Sequence, residues 1–179
     1  MIYSLAASIA CGEGSQEARA VPRSRFPPRA LKNAVLMNPI VVIPARMASA
    51  RLPGKPLADI GGAPMIARVL ERAREADAGR VVVAAAEEEV ARAVAEAGGE
   101  AVMTDPGLPS GSDRVMAALM ALDPDRGHDV VINLQGDMPT IAPHDIRAAL
   151  EALAVEETAD IATLAAPTED ETANADPNV

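Results

Sequence analysis

The chain has 179 residues, 49% hydrophobic and 23% charged, which suits one sizeable domain and excludes a disordered or low-complexity polypeptide. A formal net charge of −10, with Tyr3 and Phe26 as the only aromatic residues, argues against a nucleic-acid or anionic-membrane partner, because both need basic surface and base stacking needs aromatic rings. No window approaches 18 apolar residues, so a membrane-spanning helix is not expected.

Charge is uneven along the chain. Residues 1–38 carry five basic and two acidic side chains, leaving −13 on the remainder. An acidic body still accommodates a small anionic substrate, which a few placed cations can hold. The single Cys11 rules out an intrachain disulfide and fits a reducing compartment, so a cytoplasmic location is expected. Residues 2–11 lack a basic segment before them and are interrupted by Ser4 and Ser8, unlike a secretory leader.

Residues 1–38 form the first division of the chain, read as a disordered or non-native extension; from residue 12 they are rich in Gly, Pro, Arg and Ala without periodicity. Met37 immediately precedes the first convincing strand and is a plausible natural start. Residues 39–179 form the second division. The apolar run 39–44 reads as a buried parallel strand. A turn-rich stretch follows, with a turn at Gly61-Gly62. Pro64 then opens a helix whose inner face is Met65, Ile66, Val69, Leu70 and Ala73.

Strand 81–85 precedes helix 87–97, which starts with three carboxylates and stops at Gly98-Gly99. Residues 101–103 are a short strand. Ser110 caps the next helix with Asp113 three residues on. Strand 130–134, a helix from Pro143 to about Ala154, and a last strand at 160–165 complete the alternation. Regular βαβα order predicts an α/β fold with a doubly wound parallel sheet. Met65, Met103, Met116 and Met120 read as core filler, and His128 and His144 as surface residues.

Two strand ends carry chemistry, since open α/β sheets bind ligands beyond the carboxyl ends of their strands. After the first strand, residues 44–56 hold Arg46, Arg51 and Lys55 among small residues, Gly54 and prolines. Small residues let backbone N–H groups approach a phosphate, and Arg and Lys neutralise it; the alternative is a solvated basic loop. The spacing is not that of a Walker loop. The later strand ends in Gln135-Gly136-Asp137, a carboxylate on a tight turn suited to a divalent cation beside phosphates, or else ordinary turn chemistry. The helix start at Ser110-Gly111-Ser112-Asp113-Arg114 offers hydroxyls and free N–H groups to a base, ribose or phosphate, in addition to capping.

In this order IPARMASARLPGKPLADIGGAPMIARVLERA, SGSDR and VINLQGD resemble the signatures of the 3-deoxy-manno-octulosonate cytidylyltransferases, the CMP-Kdo synthetases. The resemblance implies a Rossmann-like sheet of the nucleotide-diphospho-sugar transferase type, incomplete at the C-terminus, with residues 39–179 as its CTP-binding part. It implies transfer of CMP from CTP to Kdo, giving CMP-Kdo and pyrophosphate for lipopolysaccharide assembly, with Mg²⁺ as cofactor. Arg46 and Lys55 would hold the triphosphate as catalytic residues, supported by Ala45, Ser49 and Arg51. Ser110, Gly111 and Arg114 would shape the nucleotide pocket, Gln135 would contact sugar acid or ribose, and Asp137 would bind the metal.

Some positions depart from the family pattern. Met138 stands where a Glu is usual, Ala85-Ala86 replaces an Asp-bearing turn, and Leu108 replaces a His. The family's homodimer interface, most of its sugar pocket and a second metal-binding aspartate are expected beyond Val179. Two alternatives follow: a truncated, catalytically inactive fragment that at most binds nucleotide, and a cytidylyltransferase for a related acidic sugar.

Overall fold

A computed structural model describes residues 37–48, 52–155 and 159–165; residues 1–36 of the expected loose extension, Ser49 and Arg51 lie outside these residues, whereas Asn38, at the end of that extension, is not loose but bonded to Asp129 and the Gly127 carbonyl. Four strands, β1 (Pro39–Ala45), β2 (Arg80–Ala85), β3 (Ala101–Met103) and β4 (Val130–Asn133), form one sheet in the order β3-β2-β1-β4. Every pairing is parallel: Ile40 lies opposite Arg80 and Ala45 opposite Ala85, while Pro39 faces Val130 and Val42 faces Asn133. β1 is therefore central, which explains its unbroken apolar run. A strand covered on both faces has no polar side to display, and residues 40–45 are all buried.

Among the described residues the α-helices are α1 (Met65–Glu75), α2 (Glu88–Glu96), α3 (Gly111–Leu122) and α4 (Pro143–Val155). Alternation along β1 divides the core into two layers. Val41, Ile43 and Ala45 pack with Ile66, Val69 and Leu70 of α1, Val90 and Val94 of α2, and Ile146 and Ala149 of α4. Ile40 and Val42 meet Val115, Ala118 and Leu119 of α3 on the opposite face. Each fully buried Ile or Leu contributes roughly 1.5–3 kcal/mol. The inner face of α1 is the one that the spacing predicts, although Pro64 is its N-cap and not its first helical residue. Helix α2 ends in a Schellman motif, with Gly98 at φ 70°, its N–H donating to Ala95 O and that of Gly99 to Val94 O.

The strand order locates the ligand side of the sheet. From β1 the chain steps to β2 and β3 with helices on one face, then returns past both to β4 with α3 on the other. The direction reverses between β1 and β4, which opens a crevice at their carboxyl ends.

Three expectations need correction. Residues 160–165 form no strand: Ile161 is 62% exposed, and only Leu164 reaches the core. An apolar run becomes a strand only when a neighbouring ladder receives it, and in the described residues β4 pairs with β1 alone. Of the four methionines only Met65 is buried; Met103, Met116 and Met120 are exposed, because Val115, Ala118 and Leu119 already supply the inner face of α3 and Met103 ends the edge strand β3. His128 is not a surface residue. Its side chain is 15% exposed and its Nδ1 lies 3.1 Å from Asp123 Oδ2, drawn inward by a turn in which the Asp123 carboxylate accepts the N–H groups of Gly127 and His128.

Candidate functional site

The crevice at the β1/β4 reversal is a cleft of ≈ 370 Å³ whose lining includes Ala45, Arg46, Lys55, Gly111, Arg114, Gln135 and Asp137. Three segments distant in sequence meet there. Arg46 leaves the end of β1, and Lys55 begins a one-turn 3-10 helix, Lys55–Leu57, after Gly54 at φ 74°. Asp137 ends the turn after β4. Gly136 permits that turn to run against β1: a Cβ on it would stand 2.7 Å from the carbonyl oxygen of Pro44, so any side chain would push the two loops apart.

Three of the charged residues lining the cleft are cationic and one is anionic, against a net charge of −10 for the chain. Such a local inversion concentrates positive charge in the cleft of an acidic protein. Lys55 Nζ and Asp137 Oδ2 are 2.6 Å apart, with side chains 33% and 47% exposed, so the two loops are bridged by an ion pair across the cleft floor. Gln135 is oriented by its Nε2 donating to Asn133 Oδ1 at 2.9 Å, and Asn133 is itself 1% exposed.

Arg114, on the first turn of α3, is 1% exposed. Its Nη1 donates to Thr104 Oγ1 at 2.6 Å and to the carbonyl of Asp105 at 3.1 Å, while its buried Nη2 has no partner among the described residues. Burial pulls the guanidinium's pKa below its ordinary value; nearby Arg46 adds to that, and the carboxylates of Glu87 and Asp105 oppose it. A buried donor without an acceptor costs on the order of 1–3 kcal/mol, so Arg114 is held in the wall of the cleft at an energetic cost. Ser110 stands just outside: its hydroxyl accepts the Asp113 N–H and donates to the Asp113 carboxylate, closing the expected cap.

The structure thus brings Ala45, Arg46, Lys55, Gly111, Arg114, Gln135 and Asp137 to one cleft, leaves Ser110 at its rim, and says nothing of Ser49 and Arg51. Sequence reasoning missed the supporting residues Glu87, Thr104, Asp105 and Asn133. Only Asn133 had a visible signal, as the sole polar side chain in an apolar strand. Met138 is buried in the larger core layer, so it offers no ligand to the cleft. Among the described residues no group of three or more His, Cys, Asp or Glu side chains could hold a metal ion, and no helix is long and apolar enough to cross a membrane.

Residues 40–179 match the family model for cytidylyltransferases. A 3-deoxy-manno-octulosonate cytidylyltransferase of Parvibaculum lavamentivorans is 63% identical over 142 residues, covering 79% of this chain and 55% of that protein. One of Rhodospirillum centenum is 61% identical over 142 residues with the same coverage. Among solved structures, a CMP:2-keto-3-deoxy-manno-octonic acid synthetase complexed with CTP matches with a TM-score of 0.63 at 41% identity, covering 68% of this chain and 49% of that one. A cytidylyltransferase from Leptospira borgpetersenii gives a TM-score of 0.53 at 26% identity, covering 65% of this chain and 48% of its own. The chain spans about half the length of the curated relatives it matches. Since the match takes in the whole Rossmann-like sheet and each segment lining the cleft, the chain belongs to the cytidylyltransferase family.

Proposed function

We propose that the cleft is the CTP site of a nucleotidyltransferase that joins CMP to 3-deoxy-manno-octulosonate and releases pyrophosphate, supplying an activated sugar acid for lipopolysaccharide assembly in the cytoplasm. The observation that carries this reading is the cluster of Arg46, Lys55 and Arg114 opposite Asp137 at the β1/β4 crevice, in a chain 41% identical over the matched part to a synthetase solved with CTP. In the reaction a sugar hydroxyl oxygen bonds to the α-phosphorus, the bond to the α,β-bridging oxygen breaks with its electron pair leaving on pyrophosphate, and the hydroxyl proton passes to solvent.

Little covalent work falls to the protein, and its contribution is position and charge. Arg46 and Lys55 hold the triphosphate against the end of β1, with Ala45 and the loop's Ser49 and Arg51 in support. Gly111 brings the free N–H groups of α3 to within reach of the nucleotide, Ser110 closes the rim, and Arg114, braced on Thr104 and the Asp105 carbonyl, shapes the pocket wall. Gln135, held by Asn133, orients the ribose or the incoming sugar acid.

Asp137 fits a Mg²⁺ role in one respect. This ion takes one or two carboxylates and completes its shell with water and substrate phosphates, and Asp137 is an accessible carboxylate facing the cations that would hold those phosphates. When bound, the ion neutralises charge on the triphosphate. One observation favours a second reading: among the described residues Asp137 is the only carboxylate lining the cleft, and it is paired with Lys55, as suits a chain that binds nucleotide without turning it over. Pyrophosphate release from the purified chain decides between them. Release that requires CTP, Kdo and Mg²⁺ together and fails with UTP supports the first reading; CTP binding without release supports the second. A chain that neither binds nor turns over CTP refutes both.

A further inference from the structure

The β2–α2 connection grips the loop after β1 at the point where its two cleft cations diverge. Arg46 is flanked by two anchored residues. On one side the N–H of Ala86 donates to the carbonyl of Ala45 at 3.0 Å; on the other the N–H of Met47 donates to Glu87 Oε2 at 2.9 Å, in a partly buried contact between residues 40 apart in sequence. Met47 also holds the far end of the loop, because its carbonyl accepts the N–H of Gly54 at 3.0 Å, and Lys55 is the next residue. One residue, clamped at both its N–H and its carbonyl, thus closes the neck of a loop that presents Arg46 from one side and Lys55 from the other.

Glu87 is an unexpected residue for this task. It is the N-cap of α2, in extended conformation, yet its side chain makes no capping hydrogen bond to its own helix. The carboxylate that would ordinarily accept a helix N–H reaches across to the neighbouring loop. A negative charge near an anion site also weakens anion binding by repulsion, and this one lies close enough to influence Arg114. Its placement is therefore unfavourable as charge and useful only as a fixed acceptor.

We propose that Glu87 is a positioning residue of the nucleotide loop: acting through Met47, it sets where Arg46 and Lys55 stand. The proposal rests on the reading of the cleft as a CTP site. It predicts that geometry outweighs charge, so replacements that keep or remove an acceptor oxygen differ, whereas replacements that merely neutralise do not. Glu87→Gln retains the acceptor and discards the charge. Glu87→Ala discards both, at little capping cost because no side-chain cap exists to lose.

The test measures CTP titrated calorimetrically into the wild-type chain, Glu87→Gln and Glu87→Ala in the presence of Mg²⁺, with hydrogen exchange of the Met47 amide followed in each ligand-free protein. Glu87→Ala is expected to bind CTP about tenfold more weakly, in line with loss of one hydrogen bond that fixes the loop, and to lose protection at Met47 by a similar factor. Glu87→Gln is expected to stay within about twofold of wild type in both. Equal protection at Met47 in wild type and Glu87→Ala overturns the proposal, as does a Glu87→Gln variant as weak as Glu87→Ala. A wild-type chain that binds no CTP, while exchange at Met47 still depends on Glu87, refutes the reading of the cleft, and the nucleotide role of Glu87 with it.

Discussion

The Lys55–Asp137 pair makes a prediction whose sign changes with conditions. In the ligand-free chain the two groups neutralise one another across 2.6 Å, so a triphosphate arriving without a cation must draw Lys55 away from Asp137 and then sit beside an unpaired carboxylate. Asp137→Asn removes both obstacles. The pair is substantially exposed, at 33% and 47%, and exposed pairs contribute only about 0.2–1 kcal/mol. Freeing Lys55 therefore strengthens cation-free CTP binding by roughly 1.4- to fivefold. With Mg²⁺ present the same substitution removes the protein's carboxylate for the ion, and CTP binds more weakly than to wild type. Calorimetric titration of CTP into both proteins, once in chelator and once in Mg²⁺, reads the two signs side by side. If Asp137→Asn weakens binding in chelator as well, the carboxylate is not competing for Lys55 and the electrostatic account of the cleft floor is wrong.

Two other expectations concern stability as well as binding. Arg114→Met keeps volume while removing a buried charge and its unpartnered Nη2; folding stability should change by no more than about 1 kcal/mol, since the lost contacts to Thr104 and Asp105 are offset by the avoided desolvation. CTP affinity should fall about tenfold, and a thermal melt with a parallel titration separates the two effects; unchanged affinity would remove Arg114 from the site. The Asp123 carboxyl is held below the usual aspartate range, chiefly by the backbone N–H groups of His128 and Gly127. Its stabilisation is fully present above an unfolded aspartate's pKa of about 3.9 and is lost as pH falls through the lower folded value. Wild type should therefore lose more stability than Asp123→Asn on acidification through that range in pH-dependent melts, and identical acid limbs would show that the turn carries no such linkage.

Much of the architecture was legible in the sequence because it is written in local patterns. The unbroken apolar run of β1 can exist only between two covered faces, the 3.6-residue spacing from Met65 to Ala73 names the inner face of α1, and the Ser110–Asp113 cap closes within four residues. The cationic loop and the Gly136–Asp137 turn were visible for a related reason: each sits directly after a buried strand, where an α/β sheet opens to ligands. Resemblance to the CMP-Kdo synthetases supplied the chemistry that those residue types alone left open.

What tertiary structure alone decided involves partners far apart in the chain. Nothing near Met47 announces that Glu87, 40 residues on, accepts its N–H, and nothing in SGSDR tells that Arg114 is buried with one nitrogen unpartnered. The strand expected at 160–165 had the right composition and lacked a ladder, while Met116 and Met120 had the right hydrophobicity and lay on the wrong side of α3. Periodicity and residue type determine which face of an element is apolar. The positions of unlike elements relative to one another depend on sheet order and packing, and those set the ion pair, the loop neck and the buried, unpartnered donor of Arg114.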